Sequence, residues 1–167
     1  NGVYHNLILA KINSFYPGHA NQMMHAFWGV GQMSFVKHAI FVNNDAPKLI
    51  SHDEIIRYIL NRINIDDILV SKGVIDHLDH SSPKFAVGGK LGLDCTGNEI
   101  EELGITILDD VELLSKLRSI SSEIKGLKQY YKDTKNPVCV ISVDKQRSQK
   151  YIFEDLKPLY SNIKILI

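Results

Sequence analysis

The chain has 167 residues, enough for one well-buried core with an appendage, and its 19 Lys+Arg balance 19 Asp+Glu. That neutrality supplies no net field toward nucleic acid or an anionic membrane, and no apolar run approaches the roughly 20 residues that cross a bilayer. Cys95 and Cys139 lie far apart with no metal-type spacing, so a reduced, cytoplasmic protein is expected.

In chain order, residues 3–12 (VYHNLILAKI) carry enough β-branched and aliphatic side chains for a first strand. Pro17-Gly18 marks a turn, with Pro17 expected at the first helical position, where its missing donor is not needed. Ala20, Met23, Met24, Phe27, Trp28 and Val30 then recur at the three- and four-residue spacing of one helix face, ended by Gly29 and Gly31. The continuous run Ala39-Ile40-Phe41-Val42 reads as a strand covered on both faces. Lys37 stands just before it, where a cation at a cleft needs a partner that a phosphate would supply; the plainer reading is a lysine at a strand edge.

Asn44 to Pro47 is a turn, and Ser51 with Glu54 forms a capping box ahead of a helix striped by Ile55, Ile56, Ile59 and Ile63. Residues 66–71 give a third strand, and the alternation argues for an α/β fold, a largely parallel sheet with flanking helices. Residues 72–98 read as a long irregular segment with enough Val, Ile, Leu and Phe to suggest ligand contact rather than disorder. The rhythm then restarts. Asp109 or Asp110 caps a helix running to about residue 124, with Val111, Leu114, Leu117 and Ile120 on one face. A strand over 137–143, a helix over 148–156 and a strand over 163–167 complete the chain.

The candidate chemistry is sparse. Asp76, His77, Asp79 and His80 have metal-ligand side chains, but their spacing fits no standard metal site, and turn formation is the ordinary role of such residues. His19 and His25 face different directions on a helix, and Met23, Met24 and Met33 read as core rather than as a pocket lining. Gly88-Gly89-Lys90-Leu91-Gly92 lacks the spacing and the hydroxyl of a nucleotide phosphate loop. The chain opens without Met close to a strand and stops on Ile165-Leu166-Ile167, so it is expected to be a piece of a longer protein.

Four blocks in order and register, YPGHANQMMHAFWG, GQMSFVKHAIFVNND, VIDHLDHSSP and GGKLGLDCTG, resemble the C-terminal part of the UbiD family of decarboxylases over residues 3–98. The resemblance implies the C-terminal domain of a larger enzyme, a non-oxidative carboxy-lyase of aromatic or α,β-unsaturated acids. It implies prenylated FMN as cofactor, made by a flavin prenyltransferase, with Mn or Mg and K beside the phosphate. Lys37 matches the family lysine that contacts that phosphate; Phe41, Asn43, Leu78 and His80 match substrate-pocket positions. Lys90 and Asp94 match the pattern without an assignable role. The family's catalytic Glu-Arg-Glu network and its metal ligands are expected upstream, so this chain is expected to hold neither and to be inactive alone. Asn43-Asn44 departs from the acidic residues common there, and nothing after about residue 99 matches. The domain reading is therefore 1–104 as the UbiD-like domain and 105–167 as an α/β extension, packed on that domain or separate. A homodimer or higher homo-oligomer and a polyprenyl-4-hydroxybenzoate substrate in quinone biosynthesis follow from the same resemblance. The rival is a non-enzymatic α/β oligomerisation or ligand-binding domain.

Overall fold

Apolar strands paired edge to edge organise the first hundred residues. In the computed structural model, residues 6–82, 84–101 and 106–167 are described, and contacts divide the chain after Ile100 into two units. In the first unit, strand β1 (Leu7–Ile12) leads to helix α1 (His19–Gly29), a 3-10 turn (Gly31–Phe35) and β2 (His38–Asn43). Helix α2 (His52–Leu60) follows, then β3 (Ile68–Val74) and β4 (Val87–Cys95). The sheet order is β1-β2-β4-β3; β1 and β4 run parallel to β2, while β3 is antiparallel to β4. Residues 3–5 of the expected first strand lie outside the described residues.

β2 is the centre, and its alternation explains the layers. Ala39 and Phe41 join Ala20, Met24 and Val36 in the buried cluster under α1. Val42 points the other way, into a cluster with Ala46, Ile55, Ile59 and Cys95 under α2, with Ile40 partly buried beside it. A sheet covered on both faces accounts for the unbroken apolar run. Burial pushes the Cys95 thiol up to about 12, which leaves it an inert packing group.

Local details correct the sequence reading. Pro17 precedes the helix: α1 begins at His19 after Gly18, whose φ of 85° is a left-handed conformation that suits glycine. Ser51 stands at the start of α2 but its side chain makes no capping bond, and the buried stripe is Ile55, Ile59 and Leu60, with Ile56 turned outward. Residues 72–98 are irregular only in part: 72–74 and 87–95 belong to β3 and β4, an antiparallel pair in which Ser71 faces Lys90 and Val74 faces Val87. Gly92 is needed there because a Cβ would collide with Met24 Sδ and come within 3.2 Å of Trp28 Cη2.

The second unit packs α3 (Asp110–Ile120) and α4 (Gln149–Asp155) with a sheet of β5 (Ile124–Tyr130), β6 (Val138–Val143) and β7 (Ile165–Leu166), in that order. Asp109 caps α3, accepting from the amides of Val111 and Glu112 at 2.8 and 2.9 Å. The helix stops at Ile120 rather than near residue 124, where β5 begins. Its buried face is Leu113 and Leu117, while Val111 is exposed. These pack with Ile124, Cys139, Ile152, Leu156, Leu159 and Ile163 into one cluster. Glu123, nearly buried, accepts from Arg147 Nε at 2.5 Å and from the Gln146 amide at 3.0 Å, and those bonds hold its carboxyl below the usual carboxylate range.

Candidate functional site

Lys37 follows the 3-10 turn and precedes β2, so its backbone is fixed on both sides. Its carbonyl accepts from the Leu91 amide of β4 at 2.8 Å. Its ammonium donates to Asp79 Oδ2 and to Ser81 Oγ, each at 2.8 Å. The Ser81 hydroxyl in turn donates to Asp79 Oδ1 at 2.5 Å, and the Ser81 amide reaches the same oxygen at 2.8 Å. Lys37 and Ser81 together hold the Asp79 carboxyl far below its ordinary value. One carboxylate therefore makes a local turn with one oxygen and anchors a cation 42 residues away with the other.

Lys90, like Asp94, is a residue that the sequence left without a role. It is 3% exposed, and its Nζ donates to the carbonyls of Ser34 at 2.5 Å and Val36 at 2.7 Å. Burial, and then the charge of Lys37, bring its ammonium down to about 8. A depression of about 370 Å³ is lined by Lys37, Ser81, Ser82, Gly89, Lys90 and Leu91. A Cβ at Gly89 would meet nothing within 4 Å, so the strand leaves that wall open. Lys37 and the Ser81 and Ser82 hydroxyls are the donors lining this depression that an anion could meet, with Lys37 already paired to Asp79 and Lys90 turned to backbone carbonyls.

A second depression, about 570 Å³, lies at the C-terminal ends of the parallel strands and is lined by Ser14 after β1, Asn43 of β2, and Asp94 and Thr96 at the end of β4, with Arg62. Asn43 Oδ1 accepts from the amides of Ser14 at 3.3 Å and Asn44 at 2.9 Å. Asp94 Oδ1 accepts from Thr96 N and Oγ1 at 3.0 and 2.7 Å. Arg62 donates to Gly97 O at 3.1 Å and lies 3.6 Å over the Tyr58 ring. Asp94 thus shapes the turn after β4.

The four expected pocket positions do not come together. Phe41 is wholly buried, with its ring edge-on to Phe27 at 5.7 Å, so within this unit it is core and not pocket. Asn43 and Lys37 sit at opposite ends of β2, roughly 20 Å apart for six extended residues. Leu78 and His80 are exposed on the loop that carries Asp79. Asp76 Oδ1 accepts from the Leu78 amide at 2.9 Å, a turn-forming role, and among the described residues no group of three or more His, Cys, Asp or Glu converges on a metal position.

Comparison with known proteins gives this α/β unit its class. Residues 1–95 match the family described as the 3-octaprenyl-4-hydroxybenzoate carboxy-lyase C-terminal domain. The chain belongs to that family. An uncharacterized protein of Helicobacter pylori (strain ATCC 700392 / 26695) is 52% identical over 168 residues, covering 100% of this chain and 27% of the relative. An uncharacterized protein of Archaeoglobus fulgidus is 32% identical over 136 residues, covering 75% of this chain and 27% of the relative. The chain thus spans about a quarter of these relatives' length. Among solved structures, the UbiD-class enzyme HmfF from Pelotomaculum thermopropionicum, in complex with FMN, is similar with a TM-score of 0.49 and 24% identity over 66% of this chain and 26% of that one. Klebsiella pneumoniae 3,4-dihydroxybenzoic acid decarboxylase has a TM-score of 0.44 and 21% identity, covering 66% of this chain and 26% of that one.

Proposed function

We propose that this chain is the C-terminal part of a prenylated-FMN-dependent, non-oxidative carboxy-lyase acting on an aromatic or α,β-unsaturated carboxylic acid. Family membership supplies the class. The observation that carries the cofactor reading is the Lys37 ammonium beside an open depression with Lys90 behind it. Lys37, Ser81 and Ser82 would hold the cofactor phosphate, and the ring system would be received by parts of the enzyme outside this chain. When bound, the prenylated flavin supplies the electron sink for loss of CO2.

The role left to these residues is binding and orientation. An ammonium already held by Asp79 and Ser81 loses little side-chain freedom when it accepts an anion as a further partner. Asp79 keeps Lys37 from collapsing onto the strand edge, and the sheet fixes the lysine backbone. The catalytic acid, the base and the ligands for Mn or Mg and K belong to the rest of the polypeptide. On this reading residues 1–104 form the carboxy-lyase-type domain and 105–167 an extension, in a cytoplasmic homo-oligomer supplied by a flavin prenyltransferase. A polyprenyl-4-hydroxybenzoate in quinone biosynthesis is the substrate proposed. No helix among the described residues is long and apolar enough to cross a membrane.

The test is cofactor retention by the full-length polypeptide co-expressed with a flavin prenyltransferase. Lys37→Ala should weaken flavin binding by about 10- to 100-fold, the range of one charge-assisted hydrogen bond to a phosphate. Unchanged retention in the variant overturns the assignment of Lys37.

A further inference from the structure

We propose that Lys90 is a positioning residue for Lys37: its buried ammonium clamps the carbonyls of Ser34 and Val36, and so fixes the turn from which Lys37 reaches the depression. The inference rests on the phosphate reading above for its functional consequence, but its structural basis is independent of any ligand.

Within the turn, the Ser34 hydroxyl donates to the Gly31 carbonyl at 2.6 Å. The 3-10 segment Gly31–Phe35 begins with Gly31 at a φ of 51°, has no side-chain cap, and none of its residues is buried. Its last amide bond is a single one, from Val36 N to Met33 O at 3.2 Å. Short 3-10 segments have weak intrinsic geometry and rely on outside contacts. Lys90 supplies that contact from the far strand. On β4 it shares a face with Gly92, the side toward α1, so its stem runs under the turn and its Nζ reaches both carbonyls.

The clamp is specific because an aliphatic residue could fill the volume yet would leave two inward carbonyls without a donor. It also places a second cation behind the first. Charged groups facing Lys90 are Lys37 from the start of β2 and, through Lys37, Asp79 from the loop after β3. Lys37 is thus held from two directions: its backbone by Lys90 and β4, its side chain by Asp79 and Ser81.

The experiment uses the full-length polypeptide without cofactor and two probes, FMN and riboflavin, which differ by the phosphate. Affinities are measured for wild type, Lys37→Met, Lys90→Met, Lys90→Arg and the double Lys37→Met/Lys90→Met variant. Hydrogen exchange at the Val36 amide is followed in parallel. Wild type should prefer FMN, and Lys90→Met should reduce that preference about tenfold with riboflavin affinity unchanged, the worth of one weakened phosphate contact. The double variant should be no weaker than Lys37→Met alone, because Lys90 acts through Lys37. Lys90→Arg, which keeps a cation and its donors, should restore most of the preference, and exchange at Val36 should accelerate in Lys90→Met. An FMN preference and Val36 protection both unchanged in Lys90→Met overturn the inference, as does a double variant weakened by the product of the single effects. If wild type shows no preference for FMN, the phosphate reading falls, and the Val36 exchange alone then decides whether Lys90 is a clamp.

Discussion

The two units use the same elements with different coverage of their sheets. In the first, β2 is buried on both faces between α1 and α2, and the core divides into two clusters that meet across the strand. In the second, one cluster gathers α3, α4 and the three short strands, and β7 is only two residues long. A doubly covered strand leaves its ends as the natural place for polar chemistry, because its length is committed to packing. The two depressions described above lie at such ends, one by Lys37 and one by Asn43. The second unit carries a helix cap and an ion pair of buried Glu123 with exposed Arg147, devices that secure a small fold, beside a depression of about 290 Å³ lined by Phe153, Tyr160, Ile163, Lys164 and Leu166.

The largest effect expected from this contrast is on Phe41, which fills the α1 face of β2. Phe41→Ala should cost about 3–5 kcal/mol of stability in the first unit, the range for truncating a buried aromatic. Exchange of the β2 amides during denaturation would read it, and a loss below about 1 kcal/mol would mean that Phe41 faces a cleft rather than core.

A smaller change sharpens the second unit. Asp109→Ala removes two capping bonds and should destabilise α3 by about 1 kcal/mol, readable as faster exchange of the Val111 and Glu112 amides. Asp110→Ala should leave those two amides protected, because the cap belongs to Asp109.

The smallest expected effect is a pH slope. Lys90 is brought down from its ordinary 10.5 to about 8. Between those values the unfolded chain holds a proton that the folded chain has released, so stability rises with pH across that window. Lys90→Met should remove this increment. Cys95, pushed up to about 12, and Cys139, pushed up to about 11, act in the opposite sense, but they are common to both proteins and cancel in the difference. The stability of wild type relative to Lys90→Met, measured by urea unfolding at pH 7 and pH 9.5, should increase with pH; a constant difference would mean that Lys90 is not buried.

Legibility from sequence followed the same division. β2 and the α1 face could be read because their apolar spacing is local. β3 was expected over 66–71, but β4 and the hairpin it makes were not, because β4 carries Gly88, Gly89 and Gly92, residues that lower strand propensity. Two of those glycines answer to neighbours distant in sequence: Gly92 to Met24 and Trp28, Gly88 to Ile75. β5 was missed for a related reason, since Ile120 and Ile124 continue a helical spacing that Ser121, as the end of α3, interrupts. At the site, Lys37 was legible as a cation before a buried strand, and family resemblance gave it a task. Asp79 was read as a turn former, which describes one of its oxygens and misses the other. Lys90 carried no local signal, because its partners lie 54 and 56 residues away. Phe41 and Asn43 share a strand, yet alternation and length send one into the core and the other to the far end.

The most direct measurement is the cofactor content of the full-length polypeptide co-expressed with a flavin prenyltransferase, by visible absorption and mass, for wild type and Lys37→Ala. Prenylated FMN in wild type, with marked loss in the variant, is the predicted result. No flavin in either protein would contradict the carboxy-lyase reading and leave an α/β domain whose Lys37–Asp79 pair is structural.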